Sequence, residues 1–211
     1  MRKTIFNSLA AGLMISIGGA VFVACVGDAA NPGIVKIFGA VLFSIALLTI
    51  CKLDMYLFTG KIGFVAESFK PIDAAYLAVG LVGNYVSATA LGRVLAYALP
   101  ANAEKAAGLC EAKLGQNPLQ TFILGCFCGV LMYVAVKTFK EKSLIGILFG
   151  IPVFIVAGFE HSIADMFYFS FGGSFTGKSF LFLLLVVCGN AVGAVIPPLL
   201  KRLGGEKFGK A

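Results

Sequence analysis

The stretch Gly158-Phe159-Glu160-His161-Ser162-Ile163-Ala164-Asp165 decides the fold. It sets two carboxylates and the one histidine of the chain into a run that carries no charge from Ser143 to Phe159 and is apolar again through Phe171. An ionisable group at such a place is costly in lipid, so it marks a function or a spot that other protein covers. Pro152 and Gly158 just ahead of it predict an interrupted helix.

Moving outward, Lys52-Leu53-Asp54-Met55-Tyr56-Leu57-Phe58-Thr59-Gly60-Lys61 has the same character. It breaks a second apolar run, Ile34 to about Gly63, past its middle. Ile5 to Val26, Ala74 to Leu99, Leu114 to Val136 and Ser179 to Leu200 are further runs near the roughly 20 residues that a helix needs to cross the hydrocarbon layer. Six crossings are predicted, and the run from Ser143 to Phe171 is the fifth. The second and fifth are the middle members of two groups of three. Because three crossings invert whatever follows, the halves, about 1–99 and 114–204, are expected to face opposite ways, with matching breaks that point to a substrate path. Irregular backbone survives at that depth only where protein or a water-filled cavity covers it.

Composition agrees. The 211 residues are 59% hydrophobic with mean hydropathy +0.96, and 13% are charged, against about 25% in a soluble domain. One membrane domain, 1–211, accounts for the chain. The net charge of +7 has no basic run interleaved with aromatics, so nucleic acid is not an expected partner. Arg2 and Lys3 before an apolar run can mark a secretory signal, but Ile5 to Val26 exceeds the roughly 7–15 residues of that type, and a retained first helix is expected. Basic residues concentrate on one side: Arg2, Lys3, Lys70, Lys137, Lys140, Lys142, Lys201, Arg202, Lys207 and Lys210, against Lys36, Arg93, Lys105, Lys113 and Lys178. Both termini are therefore predicted cytoplasmic, in an inner cell membrane, with Pro100 to Gln116 on the outer face.

The ionisable residues narrow the chemistry. Imidazole is the side chain whose unperturbed pKa permits proton exchange near neutral pH, which makes His161 a candidate for permeation or protonation beside Glu160. No second histidine or cysteine lies at metal-ligand spacing from it, the six cysteines form no C-x-x-C pair, and G-x-S-x-G is absent. No metal, cofactor or catalytic triad is expected. Asn190, in Cys188-Gly189-Asn190-Ala191-Val192-Gly193, is a polar side chain in an uncharged span, suited either to an interhelical hydrogen bond or to a solute path. Gly12, Ser16, Gly19, Gly80 and Gly83 predict close helix packing.

Leu57-Phe58-Thr59-Gly60, Glu111-Ala112-Lys113, Phe159-Glu160-His161-Ser162-Ile163-Ala164 and Gly189-Asn190 together resemble the formate/nitrite transporter family over essentially the whole chain. That resemblance implies an all-α membrane protein with an aquaporin-like fold of six transmembrane helices in two inverted repeats, assembled as a homopentamer with a pore in each protomer. It implies His161 as the central pore residue, with Thr59 and Asn190 as its hydrogen-bonding neighbours. Lys113 would draw anions into the outer vestibule, and Phe43, Leu47, Phe58 and Phe154 would form the apolar constrictions. Asp165 stands where the family pattern usually has asparagine, Gly129 where asparagine is common, and Lys61 where a neutral polar residue is usual.

An unpaired anion crosses an apolar constriction only at great cost, whereas a weak acid can cross in its neutral form. The expected activity is movement of small monovalent weak-acid anions such as formate, hydrosulfide or nitrite, with proton exchange at His161. A neutral-solute pore of the aquaporin kind is the alternative, but the Asn-Pro pairs here, Asn31-Pro32 and Asn117-Pro118, fall in neither broken span. A membrane-embedded enzyme is a weaker one.

Overall fold

The computed structural model describes residues 1–26 and 32–206. Lys207, Lys210 and Asn31 lie outside the described residues. In chain order the helices are α1 (Arg2–Cys25), α2 (Pro32–Lys52), α3 (Phe58–Lys61) with a 3-10 continuation Ile62–Ala66, α4 (Pro71–Ala98), α5 (Pro100–Leu114), α6 (Pro118–Lys140), α7 (Ile145–Ala157), α8 (Ser162–Phe171) and α9 (Gly177–Leu203). α1, α2, α4, α6 and α9 are each long and apolar enough to cross a membrane, and α7 with α8, bent by 56° at their break, makes the sixth.

Two sequence expectations are corrected, the depth of the charges at the second break and the start of the fourth run. α2 ends at Lys52, so the second run breaks past its middle as the sequence predicts, but the charges expected at or near membrane depth lie at the exposed end of that helix. Lys52, Leu53 and Asp54 are exposed at its end, and only Leu57 to Gly60 turn inward and become buried. Charge that would be costly to bury thus stays outside while the uncharged part of the motif enters. The fourth run begins at Pro118, not Leu114, since Pro suits the first helical position and the Asn117 side chain caps the Gln120 N–H at 2.9 Å. Pro100 to Leu114, within the segment expected on the outer face, forms a helix that packs on α8 and brings Lys113 to the second break.

α1 packs along α4, α6 along α9, and α2 against α7. Small residues set these distances. A Cβ at Gly12 would lie 2.7 Å from Ser87 Cβ, and one at Gly189 would lie 3.0 Å from Gly125 Cα. At Gly129 any side chain would run into the Asn190 carbonyl, so the asparagine common in the family pattern has no room here. Outward faces are apolar: Phe38, Phe127 and Phe149 are more than half exposed. A surface of this kind suits lipid or neighbouring subunits rather than water.

Candidate functional site

The two breaks meet at His161. α7 stops at Gly158, whose φ of 77° lies in the left-handed region that only glycine enters freely. His161 then caps α8, its Nδ1 accepting the Ala164 N–H at 3.1 Å. A neutral ring that accepts at Nδ1 carries its hydrogen on Nε2. Nε2 lies 2.9 Å from Thr59 Oγ1 of α3, so the ring donates to that hydroxyl. One hydrogen bond therefore joins the two interrupted helices, and both side chains are almost fully buried.

Asn190 is placed differently from the expectation that it bonds to the imidazole. Its Oδ1 accepts the Ser162 N–H at 2.9 Å, and its Nδ2 donates to the carbonyls of Glu160 and Gly125 at 2.8 and 2.9 Å. It clamps the backbone on either side of His161. Breaking a helix leaves end groups that must find partners, and one buried carboxamide supplies three bonds. Asn84, which sequence reasoning passed over, does the same at the first break: Oδ1 accepts from Phe58 N at 2.9 Å, and Nδ2 donates to Tyr56 O at 2.9 Å and Ser8 O at 2.8 Å. The signal for it was the dipeptide Gly83-Asn84, which repeats Gly189-Asn190.

Behind His161 sits an ionic cluster. Lys113 Nζ contacts Glu160 Oε2 and lies 2.9 Å from Asp165 Oδ1; the lysine side chain is 13% exposed and the carboxylates 2% and 1%. Gln116 Nε2 donates to the other Glu160 oxygen at 2.7 Å. Burial opposes the Lys113 charge, but Asp165 and Glu160 outweigh it and raise its pKa above the ordinary lysine value. The lysine that the resemblance puts in the outer vestibule is thus engaged by two carboxylates.

Two cavities flank this centre. The larger, about 210 Å³, is lined by His161, Lys113, Glu160, Asp165, Phe43 and Phe154, with Lys36 and Tyr168 also on its wall. The smaller, about 110 Å³, is lined by Leu47, Leu57, Ile50, Val136, Lys61 and Lys140. On α2 the first cavity takes Lys36 and Phe43 and the second Leu47 to Cys51, so they approach from opposite ends of that helix. Phe154 stacks on the His161 ring with centroids 5.8 Å apart, and Phe43 meets Phe154 edge-on at 6.4 Å. Phe43, Phe154 and Leu47 thus face cavities on the two sides of the centre. Phe58 does not: it is buried, lines neither cavity, and its backbone N–H is fixed by Asn84. Leu57, one residue earlier, is the side chain of that motif that faces a cavity.

Two interrupted helices meet at one imidazole, between cavities approached from opposite ends of α2. A family model described as "Formate/nitrite transporter" matches residues 1–200, and the chain belongs to that family. It is accordingly an anion channel or transporter. A protein of Methanothermobacter thermautotrophicus named "Probable formate transporter" is 30% identical over 93% of this chain and 86% of its own length. The Haemophilus influenzae protein named "Formate channel FocA" is 27% identical over 66% of this chain; that alignment spans only 55% of the Haemophilus protein. A solved structure titled "Pentameric formate channel with formate bound" matches with a TM-score of 0.81 at 23% identity, covering 97% of each chain, and this likeness shows the fold.

Proposed function

We propose that this chain forms a homopentamer in the inner cell membrane, with both termini cytoplasmic, and that each protomer passes small monovalent weak-acid anions. Its halves, 1–99 and 114–204, act as inverted copies that bring one break to the pore from each side. The observation that carries this reading is the Thr59–His161 hydrogen bond, which sets a single titratable ring at the junction of the two breaks. Phe43 and Phe154 line the cavity on one side of it, and Leu47 and Leu57 the cavity on the other. An anion arriving at Phe43 and Phe154 meets falling dielectric, which raises its proton affinity, and the ring or water bound to it exchanges the proton. The species that passes the apolar wall is then uncharged.

Positive charge at the larger cavity favours anions over neutral solutes. Lys113 is met there by both Glu160 and Asp165, so its charge is available only as far as one of them carries a proton. Lys36 contributes a charge whose partner, the Val156 carbonyl at 3.0 Å, is neutral. Formate, nitrite and hydrosulfide fit the small cavities; the named relatives favour formate.

The test is reconstitution into sealed vesicles, challenged in turn with formate, hydrosulfide, nitrite, acetate and lactate while internal pH and swelling are followed together. Swelling coupled to internal pH change for the small anions supports the reading. Swelling with glycerol and none of the anions would replace it with a neutral-solute pore.

A further inference from the structure

The ionic cluster at the second break holds one cation against two carboxylates, and all three groups are nearly buried. With every group ionised, this wall of the larger cavity carries a net negative charge at the place where an anion has to approach. The two carboxylates are not equally served. Glu160 receives the Lys113 ammonium on one oxygen and the Gln116 amide on the other. Asp165 has only the Lys113 ammonium, 2.9 Å from Oδ1, with no donor placed on Oδ2, and both oxygens are sealed from solvent. Desolvation disfavours a buried carboxylate more the fewer donors reach it, and two carboxylates gathered on one ammonium cannot both stay ionised cheaply.

We propose that Glu160 and Asp165 share one proton, resting mainly on Asp165, and that this proton switches the entrance of the larger cavity between a neutral and an anion-repelling state. The proposal rests on the reading of the chain as an anion passage and adds a second proton site to it. Facing Asp165 are Lys113 and Cys110 of α5, Cys128 of α6, Lys36 of α2 across the cavity, and Glu160, His161 and Tyr168 of its own segment. Lys113 and Glu160 are the charged groups that act on it most directly. α1 and α4 approach α8 through Gly19 at Phe167 and Gly92 at Ser170, without charge. When the proton leaves to water in the cavity, the cluster passes from a net charge of zero to minus one. Anion entry on that side then falls as pH rises, separately from any proton exchange at His161.

Infrared spectra of the wild-type protein in lipid vesicles at neutral pH test it directly. The carbonyl-stretch band of a protonated carboxylic acid is expected in wild type and expected to vanish in both Asp165→Asn and Glu160→Gln, because either change leaves the remaining carboxylate an ammonium to itself. No such band in wild type, or its loss in only one variant, overturns the sharing. Formate flux at rising external pH is the second arm: it should fall in wild type in step with the band, and Asp165→Asn should remove that component. If the band titrates while flux does not follow it, the switch is overturned. If no anion moves in any vesicle, the transport reading fails while the infrared result stands.

Discussion

Asn84 on α4 and Asn190 on α9 hold the two breaks with the same set of three bonds. Each carboxamide oxygen accepts the first N–H of the following helical piece, from Phe58 or Ser162. Each amide nitrogen reaches the carbonyl two residues earlier, of Tyr56 or Glu160, and a second carbonyl on the long helix alongside, of Ser8 or Gly125. The residue enclosed by the clamp is Leu57 in one break and His161 in the other. The same backbone therefore presents an inert side chain on one side and a titratable ring on the other.

Alanine at either asparagine strands three backbone groups, at about 1–3 kcal/mol for each one left unpaired. Thermal unfolding in detergent should show Asn84→Ala and Asn190→Ala lowered by comparable amounts. A tolerated change at one site alone would show that the clamps are not equivalent.

His161→Asn separates titration from architecture. Asparagine is a good N-cap, so α8 should still start at Ser162. Flux is expected to persist in reduced form and to lose the part of its pH dependence that the ring supplies, keeping the fall with rising pH that belongs to Asp165. A pH profile like that of wild type would remove the proton-exchange role.

Thr59→Val keeps the shape and deletes the acceptor for the ring Nε2–H. A buried donor left alone costs about 1–3 kcal/mol, so the unfolding temperature should drop, while Thr59→Ser stays near wild type. Nitrogen NMR of the single histidine reads the same change as a shift away from the Nε2–H tautomer.

Lys113→Met withdraws the cation from two buried carboxylates. Breaking such a group from one side costs about 3–5 kcal/mol, and the loss should be partly repaired by adding Asp165→Asn. Denaturation of the single and double variants checks it; equal losses would mean that the cluster is not electrically coupled.

What the sequence made legible depended on how far each signal acts. Apolar runs report on lipid, so the spans were readable, and Glu160, His161 and Asp165 marked the fifth break because charge there is so exceptional. The junction of His161 with Thr59 followed from the family resemblance rather than from spacing. Asn84 was overlooked because one asparagine in a long span is unremarkable until its partners are seen, and those partners are backbone groups that no side-chain pattern reveals. Asn190 was assigned to the ring for the same reason. Lys52 and Asp54 misled in the other direction: read as charges within a span, they lie at the exposed end of a complete helix. The helical character of α5 is not marked by an apolar run, since its short stretch carries Glu and Lys, although Pro100 at its first turn is a start signal.

α5 lies between the two sets of helices and is not duplicated, so the cluster that it completes stands against one cavity only. The mouths of the passage are electrically dissimilar even though the backbone at its centre is nearly twofold. On the proposed reading such a conduit leaves the equilibrium distribution of its cargo untouched, and is expected to rectify, with equal and opposite gradients driving unequal currents.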